Sequence, residues 1–440
     1  MNIAVLGMGY VGLTGGMAFA KHGFKTVCTT TTPSKVKNLN LGIPSFYEPG
    51  LEDLVKEVVS GNLLSGTTDN VAAVRASDIT FICVGTPSLP DGSADLSSIE
   101  SCAKDIGIAL KDKEEYHVVV AKSTIPPGTT EKIILPTIEK YSGKTVGQDF
   151  GLCMNPEFLR QGQAVSDSLN PDRIVIGEFD KKSGDVLESL YIDYVCPKIR
   201  CDLRSAEMIK YAANSLLATK ITFSNEFSRI CEKLNVDVYE VMNGVGLDFR
   251  INPKFLNAGC GFGGSCFPKD VNAIVALANE VEVDTPLLDS VLHTNKIQPL
   301  HFVDLIKDAV GELSGKTVAF LGLSFKPDTG DTRDTRALPI IERLYQEGAR
   351  VKAYDPKAID NFKRLTDLPV EYHENWKDAL KDADFAVIQS EWKEIRDIDA
   401  EDFLKLLKNP IVIDGRRTYN PDKLIKNGIK YYGIGWKNKV

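Results

Sequence analysis

The chain has 440 residues, 43% hydrophobic and 25% charged, enough for two or three domains around a sizeable core. Its 52 Lys+Arg against 60 Asp+Glu leave a net charge of −8, which excludes a global field that would gather nucleic acid or an anionic membrane surface. No apolar run nears the roughly 20 residues of a membrane span, the N-terminus lacks a basic stretch followed by a cleavable apolar one, and the scattered cysteines include no C-x-x-C pair. A cytoplasmic protein with reduced thiols and no metal is therefore expected.

The chain opens with an apolar strand ending in Gly7-Met8-Gly9-Tyr10-Val11-Gly12, then small residues at helical spacing, then the strand around Thr26-Val27-Cys28. Such glycines allow the tight turn, admit a pyrophosphate close to backbone and seat the helix on the sheet, so a dinucleotide site is predicted. Two further strand-loop-helix units follow, "ASDITFICVGTP" with Thr86 and "HVVVAKSTIPPGT" with Ser123-Thr124 in the loops. Strand ends of this kind face the ligand crevice of a doubly wound sheet, although Thr124 is equally suited to capping a turn.

The middle of the chain carries "NPEFLRQG" and a long helical pattern starting near Ser205, with Met208, Ile209, Ala212, Leu216 and Leu217 as its apolar stripe. Lys210 and Asn214 stand four apart, so both side chains are able to reach one ligand or to share one solvated face. In "NAGCGFGGSCFPKD", Cys266 lies among glycines with Lys269 and Asp270 just downstream. Spacing disfavours a metal site. A reactive thiolate and a small buried thiol both remain open on the local sequence. All five histidines, His22, His117, His293, His301 and His373, fall outside these motifs, leaving carboxylate, lysine and thiol chemistry.

From Gly315 the plan of strand, glycine-bearing loop, helix and strand recurs and ends in Tyr354-Asp355-Pro356. Its first loop holds Lys326 and Arg333. "PIVIDGRR" later delivers Arg416 and Arg417 at a strand end, a placement that suits a diphosphate or a solvated turn.

Taken together, "GMGYVGL", "FYEPGL", "CVGTP", "KSTIPPGT", "NPEFLR", "AEMIKYAAN", "GFGGSCFPKD", "FKPDTGDTRDT" and "DGRR" occur in an order that resembles the nucleotide-sugar 6-dehydrogenase family, the UDP-glucose and GDP-mannose dehydrogenases. The resemblance implies an α/β protein with two Rossmann-like doubly wound domains joined by a long central helix. The expected divisions are a dinucleotide-binding domain over 1–204, a helical dimerisation region with the cysteine loop over 205–300 and a UDP-sugar-binding domain over 301–440. It further implies four-electron oxidation of the C6 alcohol of UDP-glucose through a thiohemiacetal and a thioester on Cys266, with two NAD or NADP per turnover. Lys210 and Asn214 are implied to stabilise the oxyanion, Asp270 with Thr124 to manage proton and water, Glu157 to act as base, and Lys269 to orient the loop. The cofactor set implied is Gly7, Gly9, Tyr10, Val11, Gly12, Thr30, Lys35, Thr86 and Arg333. Phe158, Leu159, Arg160, Phe262, Gly263, Lys326 and Arg416, with Lys210 and Asn214, are implied to meet the sugar nucleotide, and Arg250 to reach it from the neighbouring subunit of a homodimer.

Two positions depart from the family pattern. Gln161 replaces a frequent Glu, and in "VCTTTTPSK" Thr30 stands where an acid normally grips the adenosine ribose, which points to NADP use. Other sugar nucleotides, GDP-mannose foremost, and a non-catalytic nucleotide-sugar-binding protein are the competing readings.

Overall fold

Residues Asn2–Leu6 form β1, followed by β2 (Lys25–Thr29), β3 (Leu64–Thr67), β4 (Ile79–Ile82), β5 (His117–Ala121), β6 (Phe150–Met154), β7 (Ile174–Glu178) and β8 (Lys198–Cys201) in a computed structural model that describes residues 1–436. Their order is β3-β2-β1-β4-β5-β6-β7-β8. The first six strands run parallel, and β7 turns antiparallel to β6. Helices cover both faces, so side chains alternate between two cores. From β1, Ile3 and Val5 join Leu13 and Met17 of the first helix, whereas Leu6 packs with Ile82 and Ile106 on the other side. Burying each such side chain contributes about 1.5–3 kcal/mol.

The second sheet contains β9 (Thr317–Leu321), β10 (Arg350–Tyr354), β11 (Glu371–His373), β12 (Phe385–Ile388), β13 (Ile411–Asp414) and β14 (Lys430–Gly433), all parallel, ordered β11-β10-β9-β12-β13-β14. This is the strand order of the first six strands repeated, so the sequence repeat is a repeat of topology. Val318 and Phe320 face one core, and Ala319 and Leu321 the other.

The chain divides into two compact units, Met1–Ala213 with Asn272–Glu282, and Asn214–Val271 with the residues from Val283 onward. Segment 205–300 is thus shared between the units. The helix Leu203–Leu234 belongs to both and differs from its predicted face. Met208 and Leu216 are 43% and 63% exposed, while Glu207, Lys210, Tyr211 and Asn214 are buried. Glu207, Lys210 and Asn214 are tolerated on the inward stripe because each finds a hydrogen-bonding partner there, which offsets its desolvation.

His117, fully buried on β5, also has a structural role. Its ring nitrogens face the Ser77 carbonyl at 3.1 Å and the Thr80 hydroxyl at 2.8 Å, an arrangement that fits a neutral imidazole. Burial, with the Lys113 charge adding to it, pushes its pKa down to about 3. The unfolded chain binds this proton near pH 6.5 and the native one does not. Stability is therefore full above that pH and declines as pH falls towards the folded value, by roughly 2–3 kcal/mol between pH 6.5 and 4.5. Urea melts at the two pH values should show a smaller loss in His117→Gln than in the native protein; equal losses would remove His117 from the acid response.

Candidate active site

The first turn after β1 meets the requirements of a dinucleotide cradle. Gly7 has φ +110°, and a Cβ on Gly12 would lie 1.9 Å from the Gly7 carbonyl oxygen, so the helix start presses directly on the turn. A Cβ on Gly9 would meet nothing within 4 Å, leaving open space in front of the N-terminus of helix Tyr10–Lys21, where backbone N–H groups attract phosphate. Tyr10 stacks on Phe46 with ring centroids 4.0 Å apart, and Val11 is half-buried. Thr86 donates its hydroxyl to the Thr124 carbonyl at 2.7 Å, tying together the loops after β4 and β5. Beyond β2, the Thr30 amide donates to the Thr67 carbonyl at 3.2 Å, and Lys35 is exposed in the first turn of helix Pro33–Asn40.

The equivalent place in the second sheet is filled by the protein itself. Asp355, after β10, is buried and accepts from the Leu323 and Ser324 amides at 2.8 and 3.0 Å and from the Trp392 indole at 3.2 Å. Its position parallels that of Thr30, but its carboxylate is consumed by the loop that would otherwise receive a dinucleotide.

In the first unit, Glu157 and Lys210 form a buried ion pair at 3.1 Å. Burial alone would lift the Glu157 carboxyl, but the Lys210 charge, the Leu159 amide at 2.6 Å and the Lys122 charge outweigh it and hold the group below the usual carboxylate range. Lys122, not singled out by sequence reasoning, donates to Asn155 Oδ1 at 2.7 Å, and burial lowers its pKa. Phe158 lies under the Arg173 guanidinium at 3.6 Å from its centroid. Arg160 is engaged by Asp167. Glu207, also unremarked in the sequence, accepts from the Thr130 amide at 2.9 Å and the Thr130 hydroxyl at 2.6 Å. It thereby anchors the loop that follows Thr124.

In the second unit, Cys266 immediately precedes helix Phe267–Glu280, and its carbonyl accepts the Asp270 amide at 2.8 Å. Asp270 is buried between the Asn214 amide at 2.6 Å and the Lys269 ammonium at 2.5 Å. Lys210 and Asn214, four apart on one helix, therefore each hold a carboxylate, and neither lies on a solvated face. Cys266 is half-buried, whereas burial pushes the thiols of Cys83, Cys102, Cys153 and Cys260 up to about 12.

The glycines before Cys266 pack against protein on one side. In the structure a Cβ on Gly263 would sit 2.2 Å from the Asp334 carbonyl, so protein backbone already fills that side. Phe262 is clamped at both its amide and its carbonyl by Asn295, at 2.8 and 3.0 Å. Arg333 pairs with Asp331, Arg250 with Asp248, and Arg417 with Asp237 beneath Tyr239 and Trp436. The Arg417 guanidinium is thus engaged by one carboxylate and two aromatic rings. The Lys326 ammonium stands 5.6 Å from the Phe325 ring centroid.

A glycine turn on a parallel sheet, buried lysine and amide groups each held by a carboxylate, and a cysteine at a helix start define a dinucleotide-dependent oxidoreductase. The UDP-glucose/GDP-mannose dehydrogenase family matches with its NAD binding domain over residues 1–195, its central domain over 204–297 and its UDP binding domain over 319–421, and the chain belongs to that family. Its cofactor is a nicotinamide dinucleotide. The chain is 44% identical over 434 residues to the Bacillus subtilis UDP-glucose 6-dehydrogenase TuaD, spanning 99% of this chain and 93% of that protein. It is 41% identical over 423 residues to the Haloferax volcanii UDP-glucose 6-dehydrogenase AglM, spanning 95% and 97%. The solved UDP-glucose dehydrogenase of Pyrobaculum islandicum superposes with a TM-score of 0.92 at 38% identity, covering 99% of this chain and 98% of that one. No helix among the described residues is long and apolar enough to cross a membrane.

Proposed function

We propose that the protein oxidises the C6 alcohol of UDP-glucose to the carboxylate of UDP-glucuronate, with a cysteine-bound intermediate. The observation that carries this reading is the placement of Cys266 at the start of a 14-residue helix next to the Asn214–Asp270–Lys269 set. Helix N-terminal amides favour a thiolate. NAD or NADP, when bound, accepts a hydride at each of the two oxidation stages, so two molecules serve one turnover. The Cys266 thiolate adds to the aldehyde carbon, a C–S bond forms, and the carbonyl pair moves to oxygen. Lys210 and Asn214 meet that charge. The resulting thiohemiacetal carries the C–H that is oxidised to a thioester. Water then adds, with Asp270 and Thr124 handling its proton and Glu157 as base, and the C–S bond breaks to return the thiolate. Phe158, Leu159, Arg160, Phe262, Gly263, Lys326 and Arg416 position the nucleotide sugar, and Thr86 and Arg333 border the cofactor.

A panel of UDP- and GDP-sugars, followed by absorbance of the reduced nicotinamide, tests the reading. UDP-glucose is expected to give the highest kcat/KM; preference for a GDP-sugar, or no turnover with any of them, would overturn it.

The working unit is a homodimer to which Arg250 contributes across the twofold. Supporting this, helix Leu203–Leu234 exposes Met208, Leu216, Phe223 and Ile230, and Leu247 and Phe249 flank Arg250 at 88% and 91% exposure. Such an apolar face is characteristic of a contact surface. Leu216→Asp is expected to yield a monomer by sedimentation velocity and to lose most activity. An active monomer at assay concentration would refute the coupling.

A further inference from the structure

Most arginines at the candidate site own a carboxylate: Arg160 has Asp167, Arg250 has Asp248, Arg333 has Asp331 and Arg417 has Asp237. Two others do not. Arg416 donates its Nε to the Gln389 carbonyl at 2.9 Å and makes no ion pair among the described residues. Arg336, only 13% exposed along its side chain, donates Nε and Nη2 to the Asp334 carbonyl at 3.0 and 2.8 Å, and the Asp334 carboxylate stands 3.8 Å away. A guanidinium carries five N–H donors, so most of the Arg336 donor set is uncommitted.

These two cations flank one turn of the cysteine loop. A Cβ on Gly259 would lie 3.0 Å from Arg416 Nη1, and a Cβ on Gly261 would lie 3.3 Å from Arg336 Cδ. Burial above all, with Arg416 repelling and Asp334 opposing, lowers the Arg336 pKa. Two neighbouring guanidinium groups with spare donors, one without an ion pair among the described residues and one with only a long contact to Asp334 at 3.8 Å, are an anion site: a ligand spanning both removes their repulsion and takes bidentate hydrogen bonds from each.

We propose that Arg336, paired with Arg416, is a specificity-determining contact to the diphosphate of the nucleotide sugar. This rests on the functional reading above and adds a residue to it. Titration calorimetry with UDP and with uridine tests the assignment in the full-length protein. Arg336→Gln is expected to weaken UDP roughly ten- to hundredfold and to leave uridine within about twofold, because uridine has no phosphate for the guanidinium to meet. Arg336→Lys keeps the charge without the fork and should fall between native and Gln; it carries the test if the Gln variant does not fold. A folded variant with lowered Tm but native UDP affinity would make Arg336 only a brace for the Asp334 turn and overturn the proposal. Native protein that binds no UDP would instead sink the functional reading beneath it, so the two failures are distinguishable.

Discussion

Cys266→Ser is expected to abolish net formation of UDP-glucuronate, lowering turnover by more than about 10³-fold. Serine preserves shape and hydrogen bonding, but its hydroxyl has a far higher pKa than a thiol and, once acylated, leaves less readily. The chemistry before the covalent step does not require the thiol. Reduced nicotinamide formed by the variant should therefore stop at or below two equivalents per site, one for the aldehyde and a second only where the substituted serine becomes acylated, while no carboxylate product accumulates. Cys102→Ser, at a thiol that burial pushes up to about 12, should retain activity and serves as the control for general thiol loss. Steady production of UDP-glucuronate by Cys266→Ser would remove the residue from the mechanism and leave a hydrated aldehyde as the second oxidation substrate.

Much of this architecture is written in local pattern. The glycine turn at residues 7–12 and the apolar strands on either side of it specify a strand-helix-strand unit without reference to distant residues, and the recurrence from Gly315 specifies a second. The strand order shared by the second sheet and the first six strands of the first follows from that plan. What sequence periodicity misjudged was the long helix. Leu216 reads as core and Lys210 as surface until folding brings Glu157 against Lys210 and Asp270 against Asn214. Partners 53 and 56 residues away decide burial there, and no hydropathy pattern contains them. Glu207 was overlooked for the same reason: its carboxylate is satisfied by backbone and hydroxyl donors of Thr130. Asp355 shows the converse. Its position was legible, but its consequence depends on Trp392 and the Leu323–Ser324 amides closing around it.

Asp355 also sharpens the meaning of Thr30. Both follow the second strand of their sheet; in the first sheet's turn a Cβ on Gly9 would meet nothing within 4 Å, whereas in the second Ser324 is bonded to Asp355. An acid at that place accepts hydrogen bonds from the ribose 2′-hydroxyl and repels a 2′-phosphate; threonine does neither with charge. Here the Thr30 hydroxyl accepts the Thr32 amide at 3.4 Å. Thr32 then begins an eight-residue helix at its N-cap without a side-chain cap, but Pro33 carries no N–H and the Lys35 amide already donates to the Thr32 carbonyl at 3.1 Å, so contact with a 2′-phosphate falls mainly to side chains. Lys35, exposed in the same turn, adds a mobile positive charge worth about 1.5–3 kcal/mol to a phosphate it contacts well. The native enzyme is therefore expected to use NADP efficiently. Thr30→Asp should shift the ratio of kcat/KM for NAD over NADP towards NAD by on the order of 10²-fold or more, since it gains the ribose contact and adds repulsion against the phosphate. Lys35→Ala should raise KM for NADP and leave KM for NAD nearly unchanged, which separates a phosphate contact from general damage to the turn. A native protein that strongly favours NAD, with a ratio unmoved by Thr30→Asp, would mean that cofactor choice is made elsewhere and that the threonine run only shapes the chain between β2 and its helix.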